Sequence, residues 1–435
     1  MSGQTIRVYP GGNLKGSVGV PGDKSLSHRA LILGGLADGT SHVRHFLPAG
    51  DTLATLGCMR ALGVTIEQHD AATLTVYGRG LHGLQAPAAA LNCVNAGTGM
   101  RLLAGVMAGQ PFASVLDGSE QLRRRPMRRI TDPLRLMGAL IEDSDGRAPL
   151  RFSPAALHGI TYDMPVASAQ VKSCVLLGGL FADSPTTIIE PGPARDHTER
   201  MLRAMGADVQ IDGARITICP GESLRPLDLT IPSDISSSAF VLVAAAFAAA
   251  DRVTVQGIGV NPTRAGLLDV LAVMGAEVAQ TDLRNEGGEP VADLVTRQVM
   301  LRGASIGGDL VVRTIDEFPV LMVAATQADG ETVVADAAEL RVKETDRIAV
   351  MAGELHKLGA EIEERADGFR VVGPQMLRGA AVEGHDDHRV AMALAVAGLV
   401  ARGETIIRDA GCVNDSFPGF VETLQALGAH VEWCS

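Results

Sequence analysis

The alternation of apolar and polar positions repeats six times along the chain. The segments LGCMRALGVTIEQ from Leu56, DPLRLMGALIED from Asp132, RMLRAMGADVQI from Arg200, DVLAVMGAEVAQ from Asp269, GELHKLGAEIEE from Gly353 and ETLQALGAHVEW from Glu422 share one form. Each reads as an amphipathic helix, a glycine, then an alternating strand. Gly63, Gly138, Gly206, Gly275, Gly359 and Gly428 fit the left-handed residue that stops a helix. They lie 68 to 84 residues apart, so the repeating unit is a supersecondary assembly rather than a single turn of a solenoid.

A second element runs in step with the first. A polar cluster opens a helix that is apolar nearly all round, and a turn and a short strand follow. These helices are predicted to begin near Lys24, Asn95, Ser168, Ser233, Asp316 and Asp386. The strands after them, SHVRHF, FASVLD, TTIIEP, RVTVQG, ETVVAD and ETIIRD, are rich in β-branched residues. A helix with no polar face must be buried. Each repeat therefore holds one buried helix, one half-exposed helix and about four strands, which predicts an α/β fold with helices packed inside a skin of sheets.

The polar clusters KSLSHR, NAGTGMR, SAQVKS, SDISSS, DEFP and HDDHR sit at the N-terminal ends of the buried helices. Unpaired N–H groups and the helix dipole both favour an anion there. Capping accounts for one Ser, Asp or Asn per helix, Asp23 or Ser25 in the first. It does not account for Arg29, Arg101, Gln170, Lys172 and Arg389, which must be paired or face an opening. If the buried helices run parallel within each half of the chain, their positive ends share one surface. Three half-exposed helices also follow charge runs, RRRPMRR at Arg123–Arg129, ARDHTER at Ala194–Arg200 and RVKETDR at Arg341–Arg347. A charge run is often only a solvated face, but the last mixes Lys343, Glu344, Asp346 and Arg347 in the register of Arg125 and Arg195.

Composition narrows the partners. At 435 residues the chain exceeds one ordinary core, so two or three domains are expected. It is 46% hydrophobic but only 3% aromatic, so Ala, Leu, Val, Ile and Met must fill the interior. A net charge of −12 argues against nucleic acid and leaves room for a small anion wherever cations concentrate. The six cysteines are scattered without a C-x-x-C pair, Met1–Val8 lacks an apolar signal stretch, and Ala239–Ala250 is too short to span a bilayer. A cytoplasmic protein with no membrane partner is expected. No G-x-x-x-x-G-K-[ST] or H-E-x-x-H occurs, so neither a cofactor nor a metal is expected. His385 and His388 flank Asp386 and Asp387 as metal ligands would, but Arg389 beside them would repel a cation. The residues point to a metal-free transferase or lyase acting on anionic substrates, with Asp316 and Glu344 as candidates for proton transfer. A non-catalytic anion-binding protein on the same scaffold remains the alternative.

PGDKSLSHRA, NAGTGMRLLAG, LDGSEQLRRRPM, SAQVKSCVLLGGL, RDHTERML, RVKETDRI and HDDHRVAMAL, in this order across the chain, resemble the 5-enolpyruvylshikimate-3-phosphate synthase family of enolpyruvyl transferases, in its bacterial class II form. The resemblance implies an inside-out α/β barrel-like fold of six βαβαββ repeats, three per domain. It also implies two crossings of the chain, near Gly22 and Pro232. The domains would then be 1–22 plus 233–435, carrying Asp316, Glu344 and Arg389, and 23–232, on the shikimate-3-phosphate side. The implied reaction moves the enolpyruvyl group of phosphoenolpyruvate to the 5-hydroxyl of shikimate-3-phosphate through a tetrahedral adduct, in a monomer without cofactor. By motif, Asp316 takes the hydroxyl proton, Glu344 supplies the methylene proton, and Lys24 holds the phosphate of phosphoenolpyruvate and shuttles protons. Lys24, Ser25, Arg29, Ser168, Ala169, Gln170, Arg195, Asp316 and Lys343 would bind shikimate-3-phosphate. Lys24, Gly97, Arg125, Gln170, Arg347 and Arg389 would bind phosphoenolpyruvate. Arg101 and Asp51 would shape the site. The chain departs from the pattern at VNDSFPGF, where Asp415 stands in place of a lysine of the other branch. The sister family that uses a UDP-amino sugar is the nearest alternative. It differs in the first motif, and no cysteine here adjoins Arg123–Arg129 to serve as its acid.

Overall fold

The helices without a polar face are enclosed along nearly their whole length. They are Lys24–Leu36, Gly97–Ala108, Ala169–Gly179, Ile235–Ala248, Phe318–Gln327 and His388–Val400. Each is flanked by strands that need it. In the computed structural model, which describes residues 3–434, Leu91–Asn92 precedes the Gly97–Ala108 helix and pairs in parallel with Ser114–Asp117 after it. A parallel pair requires a crossover, and the buried helix supplies it. Ser114–Asp117 then pairs antiparallel with Leu150–Ser153, which pairs antiparallel with Leu140–Glu142. The order is the strand before the buried helix, the strand after it, then the last and third strands of the repeat. All six four-stranded sheets among the described residues have this order.

Three sheets complete the pattern with a strand from far along the chain. Asp228–Thr230 pairs in parallel with Thr40–Arg44, Asp228 opposite His42. Leu14–Gly19 pairs in parallel with Ala249–Gly259. Thr5–Gly12 lies antiparallel to both Thr405–Arg408 and Ala429–Cys434. These pairings divide the chain into two compact units. One comprises Met1–Pro21, Pro232–Arg284 and Pro290–Ser435, and the other Gly22–Ile231 with Asn285–Glu289. Each has its own apolar core, one containing Phe240, Phe318 and Phe420, the other Phe46, Leu102 and Leu176. At roughly 1.5–3 kcal/mol for each buried Leu, Ile, Val, Met or Phe, these two cores carry most of the stabilisation.

With few aromatics, the buried helices can approach closely. A Cβ on Gly105 would overlap the Cys174 carbonyl oxygen of the neighbouring buried helix. The half-exposed helices end as their pattern requires, at Gly63, Gly138, Gly206, Gly275, Gly359 and Gly428, all with φ between +86° and +104°. One departure bears on the site. A short helix, Asp309–Thr314, precedes the fifth buried helix and leaves Asp316 in the turn between them. Among the described residues no helix is long and apolar enough to cross a membrane.

Candidate active site

In the unit containing Gly22–Ile231, the starts of three buried helices are tied together. Asp23, not Ser25, caps the first, its Oδ1 accepting from the Leu26 N–H at 2.7 Å. Lys24 opens that helix with its Nζ 2.5 Å from Asp51 Oδ2, both side chains largely shielded but not sealed off. Arg29 is buried and donates to Ser25 O at 2.9 Å, Thr198 Oγ1 at 2.7 Å and Ser173 Oγ at 2.8 Å. Burial, partly offset by Glu199 and Asp23, brings its pKa down to about 10. Ser168 caps the third buried helix, which begins at Ala169. Gln170 accepts from Arg101 Nη1 at 2.5 Å and donates to Thr98 Oγ1 at 2.8 Å. Over the start of the second helix, a Cβ on Gly97 would lie 2.8 Å from Arg125 Nη1 and 3.3 Å from Arg101 Nη1. Gly97, Arg101, Arg125 and Gln170 are thus neighbours.

Lys172 turns inward instead. Its side chain is 1% exposed, 2.6 Å from Glu199 and 2.8 Å from Glu190. Burial acts to lower its pKa, but the two carboxylates raise it on balance. Its Nζ also donates to Ala194 O at 3.0 Å. It therefore fixes both ends of the segment that carries Arg195.

In the other unit the fifth and sixth buried helices meet at Asp316. Arg389, in the first turn of the sixth, donates to Asp316 O at 3.0 Å. The Asp316 carboxylate has Lys343 Nζ at 3.4 Å, Arg347 Nη1 at 3.6 Å and Arg389 Nη2 at 4.0 Å. Arg347 is buried, with Nη2 2.6 Å from Glu344 Oε2 and Nε 2.9 Å from Asp387 Oδ2. Burial would lower its pKa, but Asp387, Glu344 and Asp316 together raise it. Asp387 also caps the sixth helix through the Arg389 N–H at 3.0 Å and accepts from Thr345 Oγ1 at 3.1 Å. Asp316, Lys343, Glu344, Arg347 and Arg389 thus form one cluster. His385 is held by Glu354 at 2.6 Å and Asp387 by Arg347, so the histidine–aspartate run serves these contacts. Asp415 ends a 3-10 turn, Gly411–Asp415, that packs against the sixth buried helix.

A profile of the EPSP synthase (3-phosphoshikimate 1-carboxyvinyltransferase) family matches residues 8–424. The chain belongs to that family. The 3-phosphoshikimate 1-carboxyvinyltransferase of Desulforudis audaxviator is 51% identical over 425 residues, covering 97% of this chain and 99% of the relative. That of Acidithiobacillus ferrooxidans is 51% identical over 428 residues, covering 98% and 99%. Among solved structures, EPSP synthase from Acinetobacter baumannii superposes with a TM-score of 0.89 at 44% identity, over 99% of this chain and 100% of that one. The inside-out α/β architecture is shared with it, as the six repeats anticipate.

Sequence reasoning passed over two groups that hold the clusters in shape. In the sequence Asp387 stands out only for its likeness to a metal ligand within HDDHR, and its grip on Arg347 joins residues 40 positions apart. Arg264, from the NPTR turn, is buried among Asp234, Ser236 and Glu317. An arginine in a loop before a half-exposed helix carries no local sign of burial. The serine-rich start SDISSS, with more hydroxyls than a cap needs, was the one available hint.

Proposed function

We infer that the chain performs its family's reaction, transfer of the enolpyruvyl group of phosphoenolpyruvate to the 5-hydroxyl of shikimate-3-phosphate with release of phosphate. We further assign both clusters to that one substrate pair. The supporting observation is the Asp316 cluster, in which two carboxylates are interleaved with Lys343, Arg347 and Arg389. Carboxylates so surrounded can exchange protons while the cations hold anionic substrate, with guanidinium groups suited to bidentate contacts.

In this reading Arg125, Arg347 and Arg389, with the backbone at Gly97 and the amide of Gln170, hold phosphoenolpyruvate. Ser25, Arg29, Ser168, Ala169, Gln170, Arg195 and Lys343 hold shikimate-3-phosphate. Lys24 takes the phosphate of phosphoenolpyruvate, with Asp51 fixing its ammonium. Asp316 accepts the 5-hydroxyl proton as that oxygen bonds to C2 of phosphoenolpyruvate, and Glu344 delivers a proton to the methylene carbon. The tetrahedral adduct then loses phosphate as the new methyl group returns a proton to Glu344. Lys24 relays the hydroxyl proton from Asp316 to the departing phosphate. Orientation and fixed charge supply the acceleration. The same reading includes a monomer working in a reducing cytoplasm, supported for the compartment by six free cysteines among the described residues.

A phosphate-release assay with two acceptors tests it. Release with shikimate-3-phosphate and none with a UDP-amino sugar is expected. Release with the amino sugar alone would overturn the assignment.

A further inference from the structure

Glu317 follows Asp316 and precedes the fifth buried helix, with its side chain fully buried. A buried carboxylate is tolerated only where partners replace its water. Its Oε1 accepts from Arg264 Nη1 at 2.9 Å and from the Ser236 hydroxyl. Its Oε2 has no hydrogen-bond partner among the described residues. Arg264 does not belong to Glu317 alone. It also donates to Ser236 Oγ and lies 3.4 Å from Asp234 Oδ1, and Asp234 caps the fourth buried helix. One guanidinium is therefore shared by two buried carboxylates, and the trio carries one surplus negative charge.

A cation lies within reach of that surplus. Arg389 Nη1 is 3.9 Å from Glu317 Oε1. The same nitrogen donates to the backbone carbonyl of Asp316, one residue away. Arg389 is itself largely enclosed, at 7% exposure, so little solvent screens this interaction. The hydrogen bonds of Glu317 go to Arg264 and Ser236, which gives it no part in proton transfer. Its position suits a different task, which is to set where the Arg389 guanidinium stands.

We propose that Glu317, fixed by Arg264 and Ser236, is a positioning residue that holds Arg389 for the carboxylate or phosphate of phosphoenolpyruvate. The proposal rests on the assignment of Arg389 to phosphoenolpyruvate made above. Glu317→Gln keeps the shape and removes the charge, so Arg389 loses one of its two carboxylate partners and keeps its hydrogen bond to Asp316 O. The expected signature is a split. The KM for phosphoenolpyruvate rises at least fivefold, kcat at saturation stays within about threefold, and the Kd for shikimate-3-phosphate stays within twofold.

The test is steady-state phosphate release by Glu317→Gln and Arg389→Ala side by side, with calorimetric titration of shikimate-3-phosphate and a thermal melt of each. A lowered melting temperature with an unchanged KM for phosphoenolpyruvate in Glu317→Gln would overturn the proposal and leave Glu317 a purely structural group. If Arg389→Ala also leaves that KM unchanged, the assignment of Arg389 itself falls. If Glu317→Gln does not fold, Ser236→Ala decides, because it removes one neutral donor from the same carboxylate oxygen. A KM for phosphoenolpyruvate at least twofold higher in Ser236→Ala, with shikimate-3-phosphate binding unchanged, supports the proposal, and no change in either overturns it.

Discussion

At the scale of single residues, the enzyme keeps ionisable groups in its interior by assigning each a partner or a charge state. His28 illustrates the second. Its Nδ1 is 2.8 Å from Thr55 Oγ1, and burial, the dominant cause, pushes its pKa from 6.5 down to about 3. The folded chain therefore holds His28 neutral where the unfolded chain would protonate it. Stability from this group is full above pH 6.5 and falls as the pH drops towards 3, by about 1.4 kcal/mol per pH unit. Replacing His28 with Gln should flatten the stability profile by about one proton between pH 5.5 and 4.5, as read by urea unfolding. An unchanged slope would mean that His28 takes up its proton in the fold. Lys172 illustrates the first device. The sequence shows that this cation at a helix start must be paired or face an opening, and does not say which. The deciding partners, Glu190 and Glu199, lie 18 and 27 residues on, and only the fold brings them together.

At the scale of elements, the two helix types were legible because each writes a local signature. A helix with one apolar face and a terminal glycine is fixed by its own few residues, as is one with no polar face. Gly275 shows the strength of that signal. Its φ is +87°, and a Cβ there would meet only Arg302 Cδ at 4.0 Å. Gly275→Ala should thus cost about 1–2 kcal/mol from backbone strain alone, measured by chemical denaturation. A cost near zero would show that the helix end relaxes. Strand pairing was less legible. Nothing local in Thr5–Gly12 says that it lies between Thr405–Arg408 and Ala429–Cys434. Nor does any local pattern say that Glu289, at the tip of a hairpin, would sit 2.9 Å from His197 Nδ1. Those pairings are decided by topology, which the repeat count suggests but the residues do not spell out.

At the scale of the whole molecule, one rule recurs in both units. Buried helices made of small and branched residues bring their N-terminal ends together, and the polar residues at those ends hold one another through hydrogen bonds. Arg29 with Ser173 and Arg101 with Gln170 do this in one unit, and Ser236 with Glu317 and Arg389 with Asp316 in the other. The candidate residues were legible because the motifs carry them, while the holding roles of Asp387, Arg264 and Lys172 became visible only through packing. Assigning the Asp316 cluster to proton transfer in this reaction is the central claim, and phosphate release by Asp316→Ala and Glu344→Ala, each beside a titration with shikimate-3-phosphate, tests it most directly. The account predicts that turnover falls at least about 100-fold in both variants while shikimate-3-phosphate affinity changes only a few-fold. Wild-type turnover in both would contradict it.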